Sequence, residues 1–550
     1  MSAPGSQHVR PYLLLTLLCA VLFLPGLASI PPTDRDEARF MQASKQMRES
    51  GDWVHMRFQD EPRNKKPVGI YWLQAAAVKI VGADLTTPWP YRLPSVLGAW
   101  LAVLFVCRCA QRLFGPAAGL TAGAVLATSF IVVVEAHIAK TDAMLLGTTT
   151  LAMTMLAAIY TTKEKPSLAT ALLFWLGIGL GILIKGPLIL LVAGATIAAL
   201  CIADRNVTWL KALKPGYGIP LTLAVVLPWL IAVSGGGAQS NFVADSISQD
   251  LLPKLIGGQE SHGAPPGTYI VAALLTAWPW SVLAPFVVIA AWKQRAVPAV
   301  RFCLAWLIPA WIVFELVPTK LPHYTMPIYP ALALLTAWAL SEAKDFQSWV
   351  GTRAGVTYRI LWACLAVVLG IGILYVTKLY GDGSVLGAGM AAVAAIFAAL
   401  FALVGFARGG AACATRGLTV AAVLFCVSLT ASVLPHLRQL AISPRLAEII
   451  AQHPTTVPVA LVGFHEPSAV FLLGTQTILT DAAGAAAHIA ATQGAIAAVP
   501  DDMLSTVRTA LIPTGHTVMQ LDELIGYNYS RGDWVHLAVI TASTPMGMPP

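Results

Sequence analysis

The chain has 550 residues, of which 57% are hydrophobic and only 11% are Asp, Glu, Lys or Arg. With a mean hydropathy of +0.71, this composition excludes a water-soluble core or a disordered chain and implies many membrane-spanning helices. The formal charge of +8 does not point to nucleic acid, because the basic residues are scattered over loops; anionic lipid headgroups suit it better.

A first apolar run, 11–30, is long enough to cross a bilayer. It reads as a retained anchor and not a cleaved signal, since cleavage would untether the charged segment behind it. In that segment, Asp34 to Phe40 carries five charged side chains, a density that a chain so poor in charge does not place at a membrane boundary without cause. Segments 38–51 and 68–81 read as amphipathic helices of the kind that lie in the interface plane. Further spans are expected near 91–110, 116–134, 143–161, 168–184, 186–203, 216–234, 267–292, 300–317, 324–341, 358–377, 384–407 and 417–435. With the first run, the twenty-residue rule makes about thirteen transmembrane helices.

Lys and Arg recur on alternate short connections, as at Arg108 and Arg112, Lys211 and Lys214, and Arg408 and Arg416. That face is cytoplasmic and includes the N-terminus. An odd number of spans leaves the segment after Pro435 outside. Two other outside segments, 31–90 and 235–266, are too long to be turns, and the second, polar and Gly-rich, suits a mobile lid.

After Pro435 the pattern becomes that of a soluble domain, with strands expected at 457–464, 495–499 and 536–541 and helices at 468–473, 482–492 and 502–511. The expected architecture is a polytopic α-helical membrane protein over 1–435, with interfacial amphipathic helices, and a C-terminal soluble α/β domain over 436–550. All eight cysteines lie in or beside spans, so no disulfide framework is implied.

The unusual polar residues gather on one side of this topology. They are Asp34, Asp36 and Glu37; Lys65 and Lys66; Glu135, His137, Lys140 and Asp142; Lys185; Glu260 and His262; and Glu315, Lys320, His323 and Tyr324. Carboxylates, lysines and histidines at the outer ends of different helices describe a cavity for an anionic, polyhydroxylated substrate beside lipid. Any one of them could simply mark the interface. Lys185 argues otherwise, because it interrupts a nearly continuous apolar stretch and needs an anionic partner or water. Lys65 and Lys66, at the entrance of a helix beginning near Pro67, could grip a phosphate at the membrane surface. The run from Lys320 to Pro327 is a proline-shaped turn, a mobile loop offering polar side chains, or both. His137, His262 and His323 lack metal-ligand spacing, and a divalent metal is left open. No Walker or dinucleotide glycine motif occurs, which argues against a nucleotide-fuelled enzyme.

The order of these motifs carries a resemblance. Asp36-Glu37-x-Arg39-Phe40 behind the first span, Lys66-Pro67 before Tyr71-Trp72, Lys185-Gly186 between two spans, and Lys320-Leu321-Pro322 with Tyr324 resemble the lipid-dependent membrane glycosyltransferases of the GT-C type. Within them the chain looks like the bacterial aminoarabinose transferases, relatives of the protein mannosyltransferases, over its whole length. The resemblance implies an inverting transferase that moves 4-amino-4-deoxy-L-arabinose from undecaprenyl phosphate to a lipid A phosphate at the outer leaflet of a Gram-negative inner membrane. That modification of lipopolysaccharide confers resistance to polymyxin and other cationic peptides.

By the same resemblance Asp36 is the first-loop catalytic carboxylate, Asp142 the candidate second acid, and Lys66 and Lys185 bind the donor phosphate. Glu37, Arg39, Lys65, Tyr71, His262, Lys320, His323 and Tyr324 complete the expected substrate and lipid-phosphate site. Where relatives carry an acid before the first-loop lysine, this chain has Lys65. A monomer among membrane lipids is expected, with no nucleic acid partner. Two other readings are transfer of another sugar, such as mannose, to protein or polymer, and a flippase for a polyprenyl-linked sugar. The flippase would place polar groups at mid-membrane depth and show repeat symmetry between halves.

Overall fold

The computed structural model describes residues 6–162, 164–235, 242–257 and 263–543. The first apolar run forms helix α1 (Ser6–Phe23), and the chain then turns into the charged segment. Helix α2 (Asp36–Ser50) starts at the charges themselves, a minimal hairpin of β1 (Arg57–Phe58) and β2 (Glu61–Pro62) comes after it, and α3 (Gly69–Val81) leads into the membrane portion. Six helices come next: α4 (Trp89–Phe114), α5 (Pro116–Ala127), α6 (Phe130–Ala136), α7 (Asp142–Thr161), α8 (Leu168–Lys185) and α9 (Leu188–Asp204), before α10 (Pro215–Ser234).

Among the described residues, seven helices are long and apolar enough to cross a membrane, or nine when each of two bent pairs counts as one span. The chain is a multi-pass membrane protein. The difference from the expected count has local causes. The run at 116–134 bends by 63° between α5 and α6, and the run at 267–292 bends by 119° after Thr276. The run at 324–341 opens with a 3-10 turn, so its α-helix covers only Tyr329–Ser341. The runs at 384–407 and 417–435 join into one helical stretch that folds back at Gly410, whose φ of 66° suits only glycine, so that Leu386–Leu400 packs against Phe406–Ser428.

Helices α4 and α7 cross closely because glycines meet there. A side chain at Gly98 would come within 2.4 Å of the Ala143 carbonyl, and one at Gly147 within 2.7 Å of the Gly98 carbonyl, the small-residue packing that membrane helices use. This crossing sets the position of Asp142 in the first turn of α7. Helix α7 packs along α8, which brings Lys185, in the last turn of α8, to the same end. Both charges also suit the dipoles of the turns that carry them.

The C-terminal segment forms a five-stranded sheet in the order β4-β3-β5-β7-β6, built from β3 (Ala460–Val462), β4 (Ile478–Thr480), β5 (Ile496–Pro500), β6 (Thr517–Asn528) and β7 (Asp533–Ser543). Strand β3 is parallel to β4 and β5, whereas β7 is antiparallel to β5 and β6. Helices cover both faces: Ile489, Val507 and Leu511 on one, and Ile442, Leu446 and Ala469 on the other. Of these strands, β4 and β6 were not expected. Strand β4 has only three residues, and the long β6 is an edge strand with a register shift between Gln520 and Asp522, which blurs its alternation.

Helix α2 departs from the expected interfacial placement. It buries Gln42, Ser44 and Lys45 as well as Phe40, Met41 and Met47. One side packs on α3 and the other on the helix Pro467–Leu473 of the C-terminal segment, with Lys45 Nζ donating to the Phe471 carbonyl at 3.0 Å and Gln42 Nε2 donating to Thr475 Oγ1 at 2.8 Å. A helix held on two sides needs no flat apolar face for lipid.

Candidate active site

Asp36 opens α2 with its side chain exposed. Its neighbour Glu37 is the anchor of the loop. The Glu37 carboxylate accepts from Arg92 Nε at 2.8 Å, from the backbone N–H of Ala139 at 2.8 Å and from Thr33 N–H at 2.8 Å. Arg92 also donates to the carbonyls of Leu27, Ile30 and Pro31 at 2.7–2.9 Å. Burial by itself would raise the Glu37 carboxyl, but Arg92 and the N–H donors outweigh it and hold the group below the usual carboxylate range. Expected as a substrate contact, Glu37 is instead a fully buried structural ion pair tying the first loop to α4 and to the 137–141 turn.

That turn carries the densest charge cluster. Lys140 Nζ lies 2.9 Å from Glu135 Oε1, 3.9 Å from Asp142 Oδ2 and 3.1 Å from His323 Nδ1. The Asp142 carboxylate pairs with Lys185 through its other oxygen. His323 stands 3.6 Å from Glu135 and 3.9 Å from Asp142, and the Lys185 ammonium lies 5.3 Å from the centre of the Tyr324 ring. The charge of Asp36 reaches Lys140 as well. Two lysines, a histidine and two carboxylates thus share one largely buried spot.

The remaining expected residues divide. Lys65 and Lys66 stand before α3, whose first residue, Gly69, lies so close to the end of α8 that a side chain there would come within 2.7 Å of the Leu183 carbonyl. That contact packs the start of α3 against the end of the helix that carries Lys185. Arg39 is half-buried on α2. The Tyr71 ring is fully buried and packs 5.3 Å from Phe40 between α2 and α3, the place of a core residue. Lys320 donates to the carbonyls of Glu315 and Val317 at 2.9 and 2.6 Å, closing the helix Pro298–Leu316. Glu315 in turn caps the helix Thr268–Thr276, accepting from the N–H groups of Gly267, Tyr269 and Ile270. Those two charges serve helix ends. His262 and Glu260 lie outside the described residues.

Part of the expected 235–266 lid is described. Asp245 accepts from Asn64 Nδ2 at 2.9 Å, which ties this segment to the stretch before α3, and the charge of Lys254 acts on His323. Lys254 was not singled out from the sequence, since an isolated lysine in a polar segment carries no signal. Among the described residues no group of three or more His, Cys, Asp or Glu side chains is arranged to hold a metal ion; Glu135, Asp142 and His323 share their spot with the ammonium groups of Lys140 and Lys185. An apolar cavity of about 190 Å³ lies behind the first loop, between Ile30, Thr33, His137 and Leu434. None of the cluster's charged groups lines it.

The C-terminal segment reaches the first loop at Asp34, whose carboxylate accepts from Ser468. Burial pushes Asp34 up to about 7; the Ser468 hydroxyl opposes the shift, Glu466 adds to it and Arg35 opposes it. An unfolded chain releases this proton near 3.8. The folded state therefore favours protonation, and its advantage is full at low pH and lost as pH climbs through that interval to about 7. The melting temperature of wild type relative to Asp34→Asn in detergent should fall from about pH 4 to about pH 7. A difference that rises or stays flat would contradict the buried placement.

A polytopic helical body, a largely buried charged cluster at helix ends and a C-terminal α/β sheet make up a fold shared with solved membrane proteins. The structure aligns with the crystal structure of ArnT from Cupriavidus metallidurans bound to undecaprenyl phosphate, with a TM-score of 0.74 and 19% identity, covering 98% of this chain and 100% of that one. It also aligns with the Archaeoglobus fulgidus oligosaccharyltransferase, with a TM-score of 0.53, 11% identity and coverage of 93% and 69%. The family model for dolichyl-phosphate-mannose-protein mannosyltransferases matches residues 65–231.

In sequence the chain is similar to the undecaprenyl phosphate-alpha-4-amino-4-deoxy-L-arabinose arabinosyl transferases. It is 29% identical to those of Pseudomonas aeruginosa (strain UCBPP-PA14) over 342 residues, 60% of each chain, and of Pseudomonas paraeruginosa over 317 residues, 56% of this chain and 55% of the relative. The chain thus spans less than two thirds of these curated relatives' length.

Proposed function

We propose that the protein transfers 4-amino-4-deoxy-L-arabinose from undecaprenyl phosphate to a phosphate of lipid A, on the periplasmic side of a bacterial inner membrane. The observation that carries this reading is the cluster of Lys140, Lys185, His323, Glu135 and Asp142. In the transfer, the bond from the anomeric carbon to the donor phosphate oxygen breaks with its electrons going to the phosphate, and an acceptor phosphate oxygen attacks the opposite face. Positive character grows on the ring and negative charge on the leaving group. Lys66 and Lys185 stabilise the leaving phosphate, and Asp36 stabilises the ring cation or holds the sugar's amine. An acceptor phosphate is already anionic, so no strong base is needed. Asp142 holds Lys185 in place, and Tyr324 offers it a ring face.

Mass spectrometry of lipid A from cells with and without the protein, with the donor lipid present, tests the reading. An added aminopentose mass only with the protein is expected, and an unchanged spectrum refutes it. The mannosyltransferase family match over 65–231 favours a second reading, transfer to a protein or polymer hydroxyl. In that case Asp36 would take the acceptor's proton, and glycosylated protein would replace modified lipid A.

A further inference from the structure

Arg35, the residue before Asp36, has φ 64° and ψ −98°, a left-handed backbone that a bulky side chain does not adopt unless its surroundings impose it. The imposing contacts come from the far end of the chain. On one side of Arg35, the N–H of Asp34 donates to Tyr529 Oη at 2.6 Å; on the other, Arg35 Nη2 donates to the Ser530 carbonyl at 2.6 Å. Both acceptors lie on the turn between β6 and β7. The turn is itself fixed: Asn528 Oδ1 accepts from Ser530 N–H at 3.0 Å, its carbonyl accepts from Gly532 N–H at 2.7 Å, and its amide donates to buried Glu466 at 2.9 Å.

On the membrane side the same loop is clamped by Glu37, through Arg92 and Ala139. Asp36 lies between two clamps, one from each part of the protein. We propose that the β6–β7 turn is a positioning element of the transfer site: Tyr529 and Ser530 hold Arg35 in its strained conformation and so aim Asp36, from the first turn of α2, at the reacting sugar. Tyr529 is a positioning residue; it acts through Asp36. The inference rests on the transferase reading for its kinetic consequence, but the clamp itself does not.

Two measurements on the full-length protein test it. Tyr529→Phe removes one hydroxyl and should lower kcat by about tenfold to a hundredfold, the scale of a small misplacement of a reacting group, with the KM for donor lipid and the melting temperature unchanged. Introduced into Asp36→Asn, the same change should have no further effect. Wild-type kcat in Tyr529→Phe, or an equal loss in the Asp36→Asn background, overturns the proposal. Independently of activity, trypsin should cut after Arg35 several-fold faster in Tyr529→Phe than in wild type while other sites keep their rates; equal rates at Arg35 overturn it too. If wild type transfers no sugar but the trypsin difference appears, the transferase reading fails and the clamp stands.

Discussion

Lys185→Ala is expected to reduce transfer about 10²- to 10³-fold in kcat, the usual effect of removing one preorganised group from a developing charge. Lys185 is nearly buried at the end of α8, paired with Asp142 and set over Tyr324. Taking its charge out of water has been compensated in the folded protein, so it meets a leaving phosphate with little reorganisation. Alanine removes that charge and leaves Asp142 with Lys140 at 3.9 Å, which further raises the negative potential where, on the proposed reading, the phosphate departs. Lys185→Arg, which keeps the charge on a longer planar head, should retain more activity than alanine but less than wild type. The measurement is single-turnover transfer from undecaprenyl-linked sugar in detergent or vesicles, alongside a melting curve. Activity near wild type in Lys185→Ala, with Asp36→Asn equally harmless, would mean that the cluster is a structural network and that the chemistry lies elsewhere.

The largest stability effect is expected at Arg92. Its guanidinium and the Glu37 carboxylate are both fully buried, and Arg92 satisfies three backbone carbonyls besides. Breaking such a pair by removing one partner costs about 3–5 kcal/mol, because the other charge is left uncompensated. Arg92→Leu should therefore lower the melting temperature and folded yield strongly, and more than Glu37→Gln, which keeps an acceptor for the Thr33 and Ala139 N–H groups. The double replacement by leucine should cost less than the sum of the two singles. Additive losses, or a melting temperature for Arg92→Leu within a degree or so of wild type, would show that the pair is not what holds the first loop.

The site was legible in the sequence to the extent that charge was scarce. Asp36, Lys66, Asp142, Lys185 and Tyr324 stood out because a bilayer makes each polar residue beside a span costly, and the alternation of basic loops assigned them to one face. Helices α7 and α8 were legible as apolar runs of spanning length, and the C-terminal helices at 468–473, 482–492 and 502–511 were legible as well, whereas the helix Ile442–Gln452 was not expected. Roles within the polar set were not. Glu37 and Asp36 are adjacent acids with the same local signal, yet one is an ion-pair anchor and the other is exposed. Lys320 and Glu315 belong to helix ends because of how the 263–270 segment packs, which no spacing encodes.

What the sequence by itself determined is the coarse class: an apolar, multi-pass chain whose pattern changes after Pro435. Those properties depend on composition and period, which are local and additive along the chain. What only the tertiary structure decided is which charges meet. The partner of Glu37 lies 55 residues away at Arg92, that of Lys185 lies 43 away at Asp142, and the acceptors that hold Asp34 and Arg35 lie 495 away. Ion pairs and hydrogen bonds act over a few ångströms, so their identity is set by helix crossings, such as the glycine contact of α4 with α7, and by the docking of the sheet on α2, and not by any neighbour in sequence.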